Sequence, residues 1–348
     1  MKILVTGITG RIGANLAMEL VDQGHEVRGL VWEKDQRPDK LRRLNAELIA
    51  GDLVNADDVR RAVSGMEAIC HLGAAFQGGG PFSERDYFDI NVQGTFNVLE
   101  AAREDRDRIK HVIFASTDAA YNKYVPGGMI EPIREDETPM LPRGWYPLSK
   151  LVGEDMCLGY YRAYDLPVTI LRFAFTVAAD EILDYRQFYL SYWLQQYAAL
   201  RTEAAAQVLG RLQSLDNGKV QLLVARDENG RSYKKHIADV RDITLAFTSA
   251  LNRPEVMGEV FQLGGPEPFT WEEAIPYMAE KLGLDFVDVR LVGHVPTFYE
   301  FDLTKSKRLF SYHPVHDIFE MIDSAIAFRR GKETGVIPTY LAPDSALT

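Results

Sequence analysis

The chain has 348 residues, 46% hydrophobic and 26% charged, the composition of an ordinary globular fold with room for one large domain or two modest ones. Its formal net charge of −11 argues against nucleic acid or an anionic membrane as a partner, because binding phosphate needs a basic surface. The only cysteines, Cys70 and Cys157, lie in apolar stretches and suggest neither a disulfide framework nor a zinc site, so no metal is expected.

The chain opens on "MKILVTG", a strand pattern with no basic or long apolar leader before it, so neither export nor membrane insertion is expected and the cytoplasm is the expected compartment. A buried strand is predicted over Lys2–Thr6, then an amphipathic helix over 12–23 that ends at Gly24. Strands follow at Glu26–Val31 and 47–50, a short helix at 57–64 and a strand at 67–71. A long helix is predicted over 83–104 with Ser83 as N-cap, then a strand at 111–115, a helix at 146–164 and a strand at 168–172. Apolar strands alternating with helices imply a doubly wound α/β fold, a parallel sheet covered on both faces. Beyond Arg172 the rhythm changes: aromatic residues from Tyr185 to Tyr197 recur at helical spacing over 184–213, read as one apolar face packed on the body, with a substrate lid as the alternative. A turn–strand–turn unit around "VQLLVA", a strand at Val260–Leu263 and a helix at Trp271–Leu282 complete the pattern, and the tail from Gly331 onward is expected to be loosely attached. These elements divide the chain into a nucleotide-binding part, 1–173 and 237–267, and a smaller mixed α/β substrate part, 174–236 and 268–348.

"VTGITGRIG" sets Gly7, Gly10 and Gly13 between the first strand and the first helix. Glycines there permit a tight turn and let backbone amides approach a pyrophosphate at the positive end of the helix. The acidic residue expected about 20 positions further on, to hold the adenosine ribose, is Val31 instead, followed by Trp32 and Glu33. Glu33 could accept from the 2′-hydroxyl while Trp32 covers the adenine, and Arg28, Lys34 and Arg37 offer an alternative site for a 2′-phosphate. Both NAD and NADP stay open, with NAD favoured because Glu33 would repel the extra phosphate.

"YPLSK" puts Tyr146 and Lys150 on one face of a helix. Using a phenol as a base near neutrality requires a shift worth ~4 kcal/mol, and an ammonium ~5 Å away contributes ~3 kcal/mol at an effective dielectric of 20.

Taken in order, "TGITGRIG", "GDL" at 51–53, "HLGAA" at 71–75, "NVQGT" at 91–95, "FASTDAAY" at 114–121 and "YPLSK" at 146–150 resemble the extended short-chain dehydrogenase/reductase superfamily, in its NAD-dependent epimerase/dehydratase branch. The resemblance is strong over 1–173 and implies a Rossmann-type domain that binds NAD or NADP. It implies Tyr146 as the acid/base, Lys150 as the group that holds the nicotinamide ribose and lowers the tyrosine pKa, and Thr117 as the hydrogen-bonding partner of the reacting oxygen. It further implies that Thr9, Arg11 and Ile12 of the glycine loop, together with Ala115, line the cofactor. Asp52 and Leu53 would flank the adenine, and Leu72, Gly73 and Ala74 the diphosphate and ribose; Asn91 would support the nicotinamide half and Phe173 meet the carboxamide. A homodimer formed through the helices at 83–104 and 146–164 is also implied by the resemblance.

The departures are informative. Sugar-nucleotide dehydratases of this branch carry Thr-Asp-Glu where this chain has Thr117, Asp118 and Ala119. Eliminating water next to a ketone needs both a base and an acid, so simple hydride chemistry is favoured, with Asp118 orienting substrate hydroxyls or ending the strand. Phe175 stands where epimerases place an asparagine near the substrate diphosphate, and Arg231, Lys234 and Lys235 replace the usual arginine pattern. A smaller sugar, sugar acid or polyol fits better than a nucleotide sugar, with Asp118, Phe175, Arg231 and Lys235 as tentative substrate contacts; the basic residues would serve a carboxylate or phosphate, or form a solvated strand face. The expectation is an NAD(P)-dependent oxidoreductase acting on a secondary alcohol or ketone. Its alternatives are an epimerase that retains its NAD and a non-catalytic NAD(P)-sensing protein.

Overall fold

In the computed structural model, which describes residues 1–76, 80 and 82–340, the first half alternates strand and helix. Strand β1 (Lys2–Thr6) leads to α1 (Arg11–Asp22), β2 (Glu26–Val31), β3 (Ala46–Ala50), α2 (Ala56–Val63) and β4 (Ala68–His71). Helices α3 (Glu84–Asp86) and α4 (Gly94–Glu104) precede β5 (His111–Thr117), α5 (Trp145–Tyr164) and β6 (Val168–Phe173). The second half holds β7 (Phe175–Val177), α6 (Leu190–Ala199), α7 (Glu203–Leu215), β8 (Gln221–Arg226), β9 (Lys234–Lys235), β10 (Ile237–Asp239) and α8 (Val240–Ala250). It ends with β11 (Val260–Leu263), β12 (Phe269–Thr270), α9 (Trp271–Leu282), β13 (Asp285–Arg290), α10 (Thr304–Phe310) and α11 (Ile318–Arg329).

Seven strands form one parallel sheet in the order β11-β6-β5-β4-β1-β2-β3. Every residue of β4, β5 and β6 is buried, which is why these strands read as unbroken apolar runs rather than as alternating patterns. The winding reverses between β1 and β4, and a doubly wound sheet opens a ligand crevice beyond the strand ends at that point. The register there pairs Thr6 with His71 and Thr117 with Phe173.

The long helix expected over 83–104 starts as predicted, with Ser83 and Asp86 forming a reciprocal capping box. Between α3 and α4, however, residues Tyr87–Gln93 form wider π-helical turns, a distortion that recurs at functional sites. Strand β5 runs two residues past its predicted end, so Ser116 and Thr117 belong to the strand, and Asp118 begins a short turn in which the Thr117 hydroxyl accepts the Ala119 N–H at 3.1 Å. The single helical stretch expected over 184–213 is two helices, because Thr202 caps α7 by accepting the Ala205 N–H and starts it afresh. Phe188, Trp193 and Tyr197 of that region are fully buried, which supports packing over a lid.

One buried apolar group joins β1, α1 and α8 to Tyr299, Phe301, Phe310 and Tyr312, so residues 299–312, assigned from sequence to the substrate part, pack with the sheet. A second gathers Val177, Trp193, Leu223, Trp271 and Ile322, and a third fills the opposite face of the sheet around Leu4, Val98 and Ile170. The tail is not loose up to residue 340. Ile337 exchanges two hydrogen bonds with the Asn15 side chain, at 2.7 and 2.9 Å, and the buried Lys40 ammonium donates to the Pro338 and Thr339 carbonyls at 3.1 and 2.9 Å. These bonds are invisible in a sequence pattern because they join positions some 300 residues apart; residues 341–348 lie outside the described residues. Among the described residues no helix is long and apolar enough to cross a membrane.

Candidate active site

The glycine loop is a cradle that side chains would fill. Gly7 has φ +67°, and a Cβ placed there would lie 2.8 Å from the Gly73 backbone. At Gly13 it would meet the Gly7 carbonyl at 2.1 Å, and at Gly10 at 3.1 Å. Gly10 donates its N–H to the Gly7 carbonyl at 2.9 Å, and no side chain caps the start of α1, so its first amides and the positive end of the helix fit a pyrophosphate. Ile12 lies within this first turn. The side chains of Thr9 and Arg11 turn elsewhere: Thr9 donates to Asp35 at 2.5 Å and Arg11 pairs with Glu181 at 2.6 Å. Only their backbone is left for a cofactor.

Beneath the loop lies a polar relay absent from the sequence reading. The Gly73 N–H donates to the Thr6 hydroxyl at 3.0 Å, and that hydroxyl meets His71 Nδ1 at 2.7 Å. On the far side of the ring His71 Nε2 meets Thr95 Oγ1 at 3.0 Å, and Thr95 donates to the Asn91 carbonyl at 2.6 Å. Each hydroxyl has one proton to give, so the chain of donors fixes His71 as the neutral Nε2–H tautomer. Burial, reinforced by the Lys150 charge, pushes its pKa down to about 3, in agreement. Leu72, Gly73 and Ala74 are thereby held at the crevice. Leu53 packs on Gly73 and Gly94, where a Cβ would come within 2.7 and 3.0 Å of its side chain. The Asp52 carboxylate accepts the Val54 N–H at 3.1 Å within the turn that leads to α2.

At the adenosine end Trp32 is half exposed with the Lys34 ammonium 5.6 Å from its ring centre, and Glu33 is exposed. The two arginines considered for a 2′-phosphate are engaged. Arg28 pairs with Glu47 at 2.8 Å, and Arg37 grips Asp35 through two bonds of 2.8 Å. Burial opposes the ionisation of Asp35, yet the hydrogen bonds from Arg37 and Thr9 hold its carboxyl at about 2.

Asn91, carried inward by the π-helical turns, clamps the site together. Its amide exchanges bonds of 2.7 and 3.0 Å with the Ala75 backbone and donates to Ser149 at 2.9 Å; Ser149 in turn donates to the Tyr146 carbonyl at 2.8 Å. Thr117, Tyr146 and Lys150 do come together. Thr117 lies beside Tyr146, whose ring packs edge-on against Phe76 and Tyr87. Beside it a cavity of about 310 Å³ opens between Tyr87, Arg143, Trp145 and Tyr146. Ala115 and Phe173 are buried on the neighbouring strands, Phe173 against Phe247.

The expected electrostatics are corrected here. Burial raises the Tyr146 pKa above the ordinary phenol value; the neighbouring Thr117 hydroxyl opposes this, and the nearby Asp118 and Tyr87 add to it. Lys150 is buried with its ammonium 4.0 Å from the centre of the Phe114 ring, and burial lowers its pKa to about 8, against the opposing pull of Cys157 and Glu154. The phenol is therefore not acidified by the lysine in the protein alone.

Two turns along the same helix face, Glu154 forms a fully buried ion pair with Arg172 of β6, the shortest contact being 2.6 Å. Ser116 donates to Glu154 at 2.5 Å and Arg172 donates to the Tyr121 hydroxyl at 2.7 Å, which ties α5 to β5 and β6 directly behind Thr117 and Lys150.

Of the tentative substrate contacts, Asp118 is buried and paired with Lys123 at 2.7 Å, a partner that the sequence reading missed. Phe175 and Lys235 meet, with the ammonium 4.7 Å from the ring centre. Arg231 stands apart from them, bonded to Asp227 at 3.0 Å and to the Gly127 carbonyl at 2.5 Å and stacked on Phe298. Lys234 likewise pairs with Glu300 at 2.7 Å.

The sequence profile of the NAD dependent epimerase/dehydratase family matches residues 3–264, a span that contains the glycine loop, the Thr117–Tyr146–Lys150 group and the whole seven-stranded sheet. The chain belongs to this family. Its members are enzymes of the extended short-chain dehydrogenase/reductase type. A protein of Bacillus subtilis (strain 168) named as an uncharacterized UDP-glucose epimerase, YtcB, is 26% identical over 94% of this chain and 98% of its own length. Uronate dehydrogenase of Pseudomonas syringae pv. tomato is 32% identical over 49% of this chain and 58% of that protein. The crystal structure of a short-chain dehydrogenase/reductase superfamily protein from Agrobacterium tumefaciens with bound NAD is 31% identical, covers 95% of this chain and 98% of that one, and superposes with a TM-score of 0.80.

Proposed function

We propose that this protein is an NAD(P)-dependent oxidoreductase that transfers hydride at a secondary alcohol or ketone of a small carbohydrate-like substrate. The observation that carries the reading is that Thr117, at the C-terminal end of the central strand β5, lies beside Tyr146, one helical turn from a buried lysine. The glycine cradle at Gly7, Gly10, Gly13 and Gly73 fits a dinucleotide, which supplies the hydride acceptor or donor when bound. In this reading Tyr146 takes the hydroxyl proton on oxidation and returns it on reduction. Thr117 holds the same oxygen, and Lys150 holds the ribose. Because burial keeps the phenol weakly acidic in the protein alone, the positive charge gained when the site fills is what favours its ionisation.

Asp118 is committed to Lys123, and Ala119 carries no acid, so the stretch after Thr117 does not offer the two free carboxyl functions that elimination of water requires, which supports hydride transfer. NAD is proposed over NADP because Arg28 and Arg37 are already paired with carboxylates. Phe88, Phe96, Leu148, Tyr161 and Tyr164 are solvent-exposed on the α3–α4 region and on α5, which supports a homodimer through these helices.

An epimerase that keeps its NAD is the second reading, favoured by the name of the Bacillus subtilis relative that matches over nearly its full length. A non-catalytic NAD(P)-sensing protein would have no use for the Thr117–Tyr146–Lys150 group. The test is to screen sugars, sugar acids and polyols with NAD and NADP, following absorbance of the reduced cofactor, alongside Tyr146→Phe. Turnover lost by ~10²-fold or more with cofactor affinity retained is expected. Undiminished turnover in the variant refutes the assignment. Sugar interconversion without net cofactor reduction, by protein purified with NAD already bound, selects the epimerase.

A further inference from the structure

Segment 297–301 threads between two parts of the site and draws four residues of chemical interest together. On one side Met129 and Ile133 donate N–H groups to the Phe298 and Glu300 carbonyls, at 2.7 and 2.9 Å. On the other, Lys234 donates to the Thr297 carbonyl at 2.9 Å and accepts the Tyr299 N–H at 3.2 Å. Tyr299 is thereby packed edge-on against Tyr124, with the Lys123 ammonium 5.2 Å from its ring centre and Lys235 one residue beyond the strand contact. Burial pushes the Tyr299 pKa well up, with the nearby Tyr124, Asp118 and Tyr185 adding to it. That hydroxyl is itself buried without a partner satisfying hydrogen-bond geometry among the described residues.

Lys235 is buried, its ammonium donating to the Tyr185 hydroxyl and lying 4.7 and 4.4 Å from the centres of the Phe175 and Tyr185 rings. Among the described residues no carboxylate stands within ion-pair distance of it. The nearest acid to exert a charge on it, Asp118, is spent on Lys123, which adds a second buried cation. A buried ammonium without a counter-ion is costly: burial lowers the Lys235 pKa, and with Asp118 spent on Lys123 an incoming anion is what would favour its charged form. Asp118 also links this cluster to the chemistry. It follows Thr117 in the chain, and its charge is felt by Tyr146 as well as by Lys235, Tyr124 and Tyr299.

Resting on the proposed oxidoreductase reading, we propose that Lys235, framed by Tyr185, Tyr299 and Phe175, is a specificity site that binds a carboxylate of the substrate, so that the substrate is a hydroxy acid of the sugar-acid class rather than a neutral sugar. The two aromatic faces exclude water from the ammonium and strengthen its pull on an anion; the Tyr185 hydroxyl, which gives its proton to Gln187, orients the ammonium, and the Tyr299 hydroxyl, unpartnered among the described residues, is the donor left for a carboxylate oxygen.

The test measures binding separately from turnover. Calorimetric titration of NAD-loaded Tyr146→Phe protein, which binds without reacting, uses D-galacturonate, D-galactose and D-galactose 1-phosphate as probes. Galacturonate is expected to bind at least ~10-fold tighter than galactose, and Lys235→Met, on the same background, to bring the two to near parity. Tyr185→Phe, which keeps the ammonium and the ring, is expected to fall between them, so the result does not hang on one variant folding. Equal binding of galacturonate and galactose, or a preference untouched by both substitutions, overturns the proposal. A galactose 1-phosphate preference of the same size that Lys235→Met abolishes overturns the carboxylate assignment in favour of a phosphate. Lys235-dependent binding of galacturonate in a protein that oxidises nothing would refute the proposed reaction and leave the anion site standing.

Discussion

Replacing Glu154 by leucine leaves the Arg172 guanidinium buried without a counter-charge. Both side chains are almost fully enclosed, at 2% and 3% exposure, so solvent cannot take over the partner's role. Losing one member of such a pair costs about 3–5 kcal/mol, a fifth or more of the roughly 5–15 kcal/mol that holds a typical domain folded. Arg172→Met strands the carboxylate in the same way and is expected to cost about as much. The double variant Glu154→Leu/Arg172→Met buries no charge, but it orphans the hydroxyls of Ser116 and Tyr121 that now bond to the pair. At about 1–3 kcal/mol for each stranded hydroxyl, the double variant falls well short of the sum of the singles. Urea denaturation followed by circular dichroism gives the three midpoints, with unchanged slopes showing that the same transition is compared. A single variant that costs less than about 1 kcal/mol, or a double variant equal to the sum, would refute the claim that an enclosed charge pair anchors α5 to the sheet.

Lys150→Met removes a buried charge whose pKa has fallen from the usual 10.5 to about 8, so the cofactor-free protein is expected to gain up to about 3 kcal/mol at pH 7 while losing activity; a lower melting temperature would contradict this. The sign carries a pH signature. Lys150 is charged in both folded and unfolded states at pH 7, so its penalty is complete there, and it is relieved as pH rises through 8 towards 10.5, a rise in stability that the methionine variant should lack. Asp118→Asn removes a negative charge that raises the Tyr146 pKa, and the alkaline rise of kcat/KM for oxidation should move to lower pH; a shift to higher pH would place the controlling charge elsewhere. Deleting residues 337–348 strips Lys40 of two carbonyl partners and Asn15 of its bonds to Ile337, and should lower stability by about 2–4 kcal/mol in a thermal melt.

The sheet was legible because a strand buried on both faces leaves an apolar run, and β4, β5 and β6 have no exposed residue to break that signal. The glycine loop and Tyr146–Lys150 were legible because each is local, set by spacing within one turn or one helix. The supporting contacts are not local. His71 reaches Thr95, Asn91 reaches Ser149, and Lys235 reaches Tyr185 only after the chain has crossed the sheet, and no periodicity encodes those meetings. The lysine's share in the acidity expected for Tyr146 is missing from the protein alone for a related reason: helical spacing puts two side chains on one face, but it does not say that the lysine will turn its ammonium onto Phe114.

The bonds from Lys40 to Pro338 and Thr339 set an order of events during synthesis. The first strands and helices emerge from the ribosome hundreds of residues before the carbonyls that will accept this ammonium's hydrogen bonds. Until those carbonyls are made, Lys40 keeps water as its partner. A corner near the first strands is thus closed by chain made about 300 residues later, and a chain stalled before Pro338 is expected to leave it open.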